Sequence, residues 1–175
     1  KKLISLSKQN NLELIIIGDK KTPKKFNLNY GSFYNIALQK KLDFNFSKIC
    51  PFNSYSRKNI GYLISMAKGS ETIIETDDDN YPKNNFFNFL NLIHSVKEIE
   101  QKNWVNIYKK FIEKNSEIWP RGLPLDKINH LPKFKKKIVT KKFYLKQGVC
   151  EGNPDVDAIY RLINDEINIK FKNNY

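Results

Sequence analysis

The amino-acid sequence predicts an α/β fold in which helices flank a mainly parallel sheet. Residues 12–17 and 72–76 are short apolar runs rich in β-branched side chains, and such runs predict buried strands. Between them, residues 57–68 carry apolar side chains at three- and four-residue spacing, which predicts a helix. Alternation of strand and helix is typical of parallel sheets, and these bind ligands at the carboxyl ends of their strands.

The other elements of the first half follow from local signals. Residues 3–10 predict the end of a helix, and residues 30–41 fit either a short helix or a strand with a turn. Ser54 or Ser56 is the predicted N-cap of the helix 57–68, and Gly69 is placed to end it.

The second half is less regular. A strong apolar face in residues 86–99 predicts a helix, and residues 143–149 predict a strand. Residues 133–142 are basic and predicted to be exposed. A last helix is predicted over residues 154–164, where aspartates in the first turn suit the helix dipole.

Composition limits the possible classes of protein. The 175 residues suffice for one domain, and the net charge of +13 comes mainly from lysines spread in short runs, which predicts a solvated basic surface. Two cysteines without metal-ligand spacing indicate a reducing compartment, so we expect a cytoplasmic protein. No apolar run approaches the roughly 20 residues that span a bilayer, so no transmembrane segment is predicted.

Three consecutive carboxylates, Asp77, Asp78 and Asp79, follow the second predicted strand. Like charges about 4 Å apart repel by roughly 4 kcal/mol at an effective dielectric near 20, and a hard divalent cation relieves that repulsion. Because strand side chains alternate, Asp77 and Asp79 are predicted to hold Mg²⁺ or Mn²⁺, and Asp78 to bind a sugar or ribose hydroxyl. The triplet alone fits a solvated acidic turn equally well.

Two further groups carry polar chemistry near the predicted strand ends. Arg57 and Lys58 begin a predicted helix, where donors and the positive end of the dipole favour an anion. If they were merely exposed, both cations would oppose that dipole. Asp19, after the first strand, is a candidate acceptor for a nucleobase or ribose, and otherwise a turn residue.

The candidates in the second half are Arg121, Asp155 and Asp157. Arg121 lies in a loop, residues 119–124, that two prolines and a glycine constrain. Asp155 and Asp157 are candidates for a general base and an acceptor ligand, although taken alone they are better explained as caps of the helix that follows.

Five segments, in order along the chain, resemble the STELLO-type glycosyltransferases, and part of the set also resembles the related UDP-arabinopyranose mutases (reversibly glycosylated polypeptides). They are Leu-Ile-Ile-Ile-Gly-Asp at 14–19, Pro-Phe-Asn-Ser-Tyr-Ser-Arg-Lys-Asn at 51–59, Thr-Asp-Asp-Asp-Asn at 76–80, Trp-Pro-Arg-Gly-Leu-Pro at 119–124 and Pro-Asp-Val-Asp-Ala at 154–158. Their order makes the resemblance far more specific than the acidic triplet alone.

The resemblance implies a GT-A fold, a Rossmann-type sheet whose metal-dependent DXD motif binds a nucleoside-diphosphate sugar. It implies that Asp19 lies near the nucleotide, Arg57 near the diphosphate or sugar, and Arg121 at the sugar. Asp155 and Asp157 would line the sugar or acceptor side. Because the first strand of a GT-A fold would precede residue 1, residues 1–175 are expected to form a single truncated glycosyltransferase domain without its N-terminal strand.

The predicted function is therefore metal-dependent transfer of a sugar, expected to be UDP-linked, to an acceptor that the sequence does not identify. The expected cofactor is Mn²⁺ or Mg²⁺, and no nucleic-acid partner is expected. Three alternatives stay open. One is a UDP-sugar mutase of the reversibly glycosylated polypeptide type. Another is a non-enzymatic basic module for nucleic acid or an anionic surface, which requires lysines gathered on one face. The third is metal-dependent nucleotidyl transfer, which would use the same carboxylates.

Overall fold

The computed structural model of the chain describes residues 1–23, 25–112, 117–164 and 168–171. Within them the fold is mixed α/β, as predicted, and the chain divides into two compact units, Lys1–Leu90 and Asn91–Tyr175. The strands of the described residues form one parallel and one antiparallel pair. A mainly parallel GT-A sheet is thus not confirmed, and the single truncated domain stays a prediction.

In the first unit, helices pack around a short parallel strand pair. Strands β1 and β2 are in register with Ile16 opposite Phe33. Ile60 and Ile64 of helix α4 are buried against β1 and form the centre of this core. The elements in chain order are α1 (Lys2–Gln9), β1 (Ile15–Ile17), β2 (Ser32–Tyr34), α2 (Ile36–Lys40), α3 (Asn45–Ile49), a 3₁₀ turn (Tyr55–Lys58), α4 (Asn59–Ala67) and a second 3₁₀ turn (Phe86–Leu90).

Most predictions for the first unit are confirmed. The helix expected at 57–68 is present as a 3₁₀ turn that continues into α4, and Ser54 caps the turn by accepting a hydrogen bond from the amide of Ser56. The undecided segment 30–41 contains both a strand and a helix. The strand expected at 72–76 was wrong, since this described segment has no regular structure. Thr72 and Ile73 are exposed while Ile74 and Thr76 are half-buried, and the segment pairs with no strand of the described residues, so its β propensity is not realised.

The second unit combines an antiparallel ribbon with a separate hydrophobic core. Strand β3 (Ile93–Ile99) pairs with β4 (Phe134–Lys142), with an irregularity in register between Lys97 and Ile99. The unit also contains α5 (Tyr108–Phe111), a 3₁₀ turn (Leu125–Lys127) and α6 (Ala158–Ile163). The buried core residues are Tyr108, Ile112, Ile118, Trp119, Leu123, Val156, Tyr160 and Phe171.

The prediction of a helix at 86–99 was wrong, because residues 86–90 form a 3₁₀ turn and residues 93–99 form β3. Burial along β3 alternates with a period of two, which is the pattern of a strand. In the sequence, the apolar residues between 86 and 92 obscured this alternation. The described residues 143–149 form no strand, so that prediction was wrong as well. The last helix is confirmed as α6, but it begins at Ala158, so Asp155 and Asp157 precede it and do not lie in its first turn. Within the described residues no helix is long and apolar enough to cross a membrane.

We expect Gly31→Ala to destabilise the first unit by about 2–4 kcal/mol, since a φ of +93° disfavours a side chain and the new Cβ would lie 2.6 Å from the carbonyl oxygen of Leu14. That carbonyl accepts the hydrogen bond from Ser32 at the start of β2. Gly69→Ala is the matched control, because Gly69 has a similar φ of +81° but open space around it, so we expect a loss of about 1 kcal/mol. Urea denaturation followed by circular dichroism measures both, and equal losses would contradict the steric explanation.

Candidate functional site

The guanidinium of Arg57 is buried and joins several segments of the first unit. Its Nη1 donates a hydrogen bond to Oε1 of Gln39 at 2.7 Å, and its Nη2 donates to the carbonyl oxygens of Cys50 at 2.7 Å and Pro51 at 3.1 Å. Its Nε lies 3.5 Å from Oδ2 of Asp19, which is an ion-pair distance but makes no hydrogen bond. Arg57 is 4% exposed, so most of its donors serve the fold.

Asp19 connects the end of β1 to the same loop. Its Oδ2 accepts a hydrogen bond from the amide of Asn53 at 2.7 Å, and its Oδ1 accepts one from the amide of Lys20 at 2.7 Å. The carboxylate also balances the charge of Arg57. The structure therefore brings together Asp19 and Arg57, which the sequence analysis had assigned separately to the nucleotide and the diphosphate.

Gln39 is a residue that the sequence analysis missed. It is fully buried in α2, and its Nε2 donates to the carbonyl oxygens of Gly18 and Tyr34, each at 2.7 Å. Its Oε1 accepts the hydrogen bond from Arg57. The amide thus connects both strands of the parallel pair to the guanidinium. A glutamine in a short helix gives no sequence signal for this, because exposed helix positions commonly carry the same residue.

The ring of Phe52 lies among three cations. The ring centroid is 4.5 Å from Nζ of Lys20, 5.8 Å from Nζ of Lys40 and 4.7 Å from the guanidinium carbon of Arg57. A cleft of about 220 Å³ opens beside the ring, lined by Lys40, Ser47, Lys48, Ile49, Cys50, Pro51, Phe52 and Arg57. Asp19 balances only one of these charges, so this part of the first unit attracts anions.

Asp77, Asp78 and Asp79 are exposed and lie in a turn, which the hydrogen bond from the amide of Asn80 to the carbonyl of Asp77 closes at 3.3 Å. They do not continue a strand, so the alternation that separated Asp77 and Asp79 from Asp78 does not apply. Nζ of Lys58 lies 3.3 Å from Oδ1 of Asp77. Across the described residues, no three His, Cys, Asp or Glu side chains are grouped so as to hold a metal ion.

Lys58, Glu75 and Tyr62 form a hydrogen-bonded cluster next to this turn. Both Nζ of Lys58 and the hydroxyl of Tyr62 donate to the carboxylate of Glu75. The hydrogen bond to Glu75 is the main cause of the raised pKa of Lys58. Burial raises the pKa of Glu75, but the hydrogen bonds from Lys58 and Tyr62 outweigh it and the pKa is lowered. Burial, followed by the bond to Glu75, raises the pKa of Tyr62 to about 12.

This cluster is consequently an ion pair plus a neutral phenol at physiological pH. Glu75 holds the ammonium of Lys58 beside Asp77, so the acidic turn already has a cation at one of its carboxylates. The sequence analysis identified Lys58 but not Glu75 or Tyr62. The i to i+4 spacing of Lys58 and Tyr62 on one helix face was an available signal, whereas the return of Glu75 to that face depends on the loop between them.

In the second unit, the predicted residues Arg121 and Asp155 form an ion pair, with Nη2 of Arg121 2.6 Å from Oδ1 of Asp155. Both side chains are exposed, while backbone pairing of Pro120 with Val156 joins their segments. The hydroxyl of Tyr108 donates to the carbonyl of Asp155 at 3.1 Å. An exposed pair is therefore presented by a backbone that is fixed to the core.

Asp157 acts as the N-cap of α6. Its Oδ1 accepts a hydrogen bond from the amide of Ile159 at 2.9 Å. This is the capping interpretation that the sequence had favoured for residues before this helix. Asp155, two residues earlier, caps nothing among the described residues and keeps its carboxylate in the ion pair with Arg121.

Comparison with known proteins finds two similar chains from Arabidopsis thaliana, Probable glycosyltransferase STELLO2 and Probable glycosyltransferase STELLO1. Each is 29% identical over 174 residues, which cover 90% of this chain and 22% of the relative. The chain thus spans about a fifth of the length of these curated relatives. The similarity confirms the STELLO-type relationship predicted from the sequence. No protein-family model matches the chain, and no solved structure does.

We expect Arg57→Lys to lower the stability of the first unit by about 3 kcal/mol, because an ammonium cannot reach Gln39 and two carbonyls at once and leaves buried acceptors unpaired. Arg121→Lys is the control, since it weakens an exposed ion pair worth less than about 1 kcal/mol. Urea midpoints at constant slope measure the difference. Similar midpoints for both variants would refute the role of Arg57 in holding the loop.

Proposed function

We propose that this chain forms part of a glycosyltransferase that uses a nucleoside-diphosphate sugar, with UDP as the expected nucleotide. The single observation that carries the proposal is the similarity to two probable glycosyltransferases over 90% of the chain. Because the chain spans 22% of each relative, the reaction is proposed for the whole protein, to which this chain contributes binding and charged residues.

The nucleotide side of the proposed site is the loop around Phe52. Lys20 and Lys40 lie near its ring and supply positive charge for phosphates, and Arg57 fixes the loop that carries the ring. One oxygen of Asp19 accepts a single amide hydrogen bond, so the carboxylate retains acceptor capacity for a nucleobase or ribose donor. In this proposal Arg57 acts mainly by positioning, because its guanidinium is nearly enclosed.

The acidic turn is the proposed metal site. Its three carboxylates are hard oxygen donors, which suits Mn²⁺ or Mg²⁺, and their exposure suits an ion whose remaining ligands are substrate phosphates and water. We assign Asp77 and Asp79 to the metal and Asp78 to a sugar or ribose hydroxyl, in the order of the DXD motif. A bound ion would supply positive charge against the diphosphate.

Lys58 is proposed to act beside that turn. Glu75 holds its ammonium 3.3 Å from Asp77, and the raised pKa keeps it charged. A charge fixed in advance stabilises the negative charge that develops on the leaving diphosphate without reorganising during the reaction. Tyr62 supports this arrangement by donating to Glu75 from the same helix.

Arg121 and Asp155 are proposed for the sugar and acceptor side. The ionised carboxylate of Asp155 is exposed on a firm backbone and is suited to accept a proton from an acceptor hydroxyl, which is general-base chemistry. Arg121 would orient that carboxylate and contact the sugar. Capping of α6 uses Oδ1 of Asp157, and its second carboxylate oxygen is proposed to contact the acceptor substrate.

The first test is UDP binding by the whole protein, measured by calorimetry with and without Mn²⁺. We expect binding to strengthen at least about tenfold with Mn²⁺, and Asp79→Asn to remove that gain because one charged ligand is lost. Asp126→Asn, which neutralises another exposed carboxylate, should change nothing. Identical titrations with and without the metal would contradict the metal site.

The variant Lys58→Gln distinguishes the contribution of the lysine to UDP binding from that of the metal. We expect it to weaken UDP binding roughly fivefold to tenfold both with and without Mn²⁺, because a fixed positive charge near the diphosphate is lost in either condition. Asp79→Asn should act only when the metal is present. If Lys58→Gln instead tightened binding, the lysine would be a competitor for the carboxylates and not a partner of the diphosphate.

Product analysis distinguishes transfer from the mutase alternative. Transfer releases free UDP as the sugar moves to an acceptor, whereas a mutase returns the sugar to UDP and releases none. Chromatography of the nucleotide pool after incubation with UDP-sugars and acceptors therefore decides between the two reactions.

A further inference from the structure

The β3–β4 ribbon presents one open face to solvent. In an antiparallel pair, directly opposed residues lie on the same face. On one face, the six residues that precede the irregularity in register are all exposed, and the two isoleucines among them, Ile93 and Ile138, are each 58% exposed. Their opposed pairs are Ile93 with Lys142, Ser95 with Thr140, and Lys97 with Ile138, and beyond the irregularity the half-buried Ile99 pairs with Phe134.

The other face of the ribbon carries its charge balance. Glu98 is half-buried there, and its carboxylate accepts hydrogen bonds from the ammonium groups of Lys135 and Lys141. These contacts, with Lys135 first, lower the pKa of Glu98 to about 2. Glu98 thereby offsets part of the positive charge of these two lysines, on the face opposite the open face.

The open face keeps its positive charge. Residues 93–100 and 133–142 together contain seven lysines and two glutamates, a net charge of +5. Lys97 makes no ion pair within the described part of the chain, and the ammonium of Lys142 lies 5.0 Å from the ring centroid of Tyr144. None of the six open-face residues is acidic. The open face therefore combines two lysines that have no acidic neighbour on that face with two exposed isoleucines.

We propose that this open face binds the surface of an anionic lipid membrane. Lysines at such a surface are attracted to acidic headgroups, while neighbouring aliphatic side chains gain by leaving water at the headgroup boundary. Ile93 and Ile138 stand directly across from the two lysines, so both effects act in one plane. Tyr144 and Leu145, two and three residues beyond the end of β4, are 82% and 89% exposed as well.

Nucleic acid is less well matched to the same face. Antiparallel ribbons do enter the major groove, where arginine or lysine reads guanine and asparagine or glutamine reads adenine. The six residues of the open face include two lysines but no arginine, asparagine or glutamine. Exposed isoleucines also gain little beside phosphates, whereas a lipid interface buries them.

The test is sedimentation of the whole protein with vesicles of phosphatidylcholine alone or with about one third phosphatidylserine. We expect binding only to the anionic vesicles, weakening as NaCl is raised. The double variant Lys97→Gln with Lys142→Gln should bind roughly 25-fold more weakly, at about fivefold for each lysine. Lys135→Gln with Lys141→Gln, which removes the same charge from the opposite face, should lose less than about threefold.

The aliphatic part has its own variants. Ile93→Ser with Ile138→Ser should weaken binding to anionic vesicles roughly tenfold, with circular dichroism unchanged because both side chains are largely exposed. UDP binding should be unaffected by every ribbon variant, so the membrane proposal is tested independently of the glycosyltransferase proposal. Equal losses for the two lysine pairs would overturn the membrane proposal. Binding to duplex RNA or DNA that depends on Lys97, with no binding to vesicles, would overturn it as well.

Discussion

The first unit depends on the neutralisation of one buried cation. A guanidinium taken out of water costs several kcal/mol unless charges and acceptors surround it, and Arg57 obtains them from the end of β1, from α2 and from the loop before α4. Those segments lie apart in sequence, and the loop before α4 has no regular structure of its own. Their contacts with this one side chain fix their relative positions and hold Asp19 and Phe52 close to the guanidinium.

The charged residues of the chain divide into two kinds with different physical roles. Arg57 is buried and holds the loop before α4, whereas the side chain of Lys58 is 32% exposed and its ammonium is paired with Glu75. In the second unit, Glu98 pairs with two lysines on one face of the ribbon, whereas Lys97 and Lys142 on the other face have no acidic side chain opposite them. A net charge of +13 therefore conceals specific local arrangements.

Local signals predicted the elements that local physics decides. The helix at 57–68 followed from apolar spacing, and its termination at Gly69 from a position with φ of +81°. Residues 86–99 were misread because a dense apolar run does not by itself distinguish a helix from a strand. Gln39 and Glu75 could not be predicted, since they meet Arg57 and Lys58 across 18 and 17 positions of chain whose path only the fold sets. Local patterns indicated Asp19, Arg57, Arg121 and Asp155, and the resemblance implied their roles, but neither predicted that Asp19 lies beside Arg57 or that Arg121 pairs with Asp155.

The carbonyl oxygen of Cys50 accepts a hydrogen bond from the guanidinium of Arg57. Cys50 is 6% exposed, whereas Cys150 in the other unit is exposed. Each unit consequently contains one cysteine, and the two differ in access to reagents. Alkylation of Cys50 requires the network around Arg57 to open, while alkylation of Cys150 does not. The rate of thiol labelling at Cys50 therefore reports how often the network around Arg57 opens in the native protein, and Cys150 gives the rate for an exposed thiol in the same experiment.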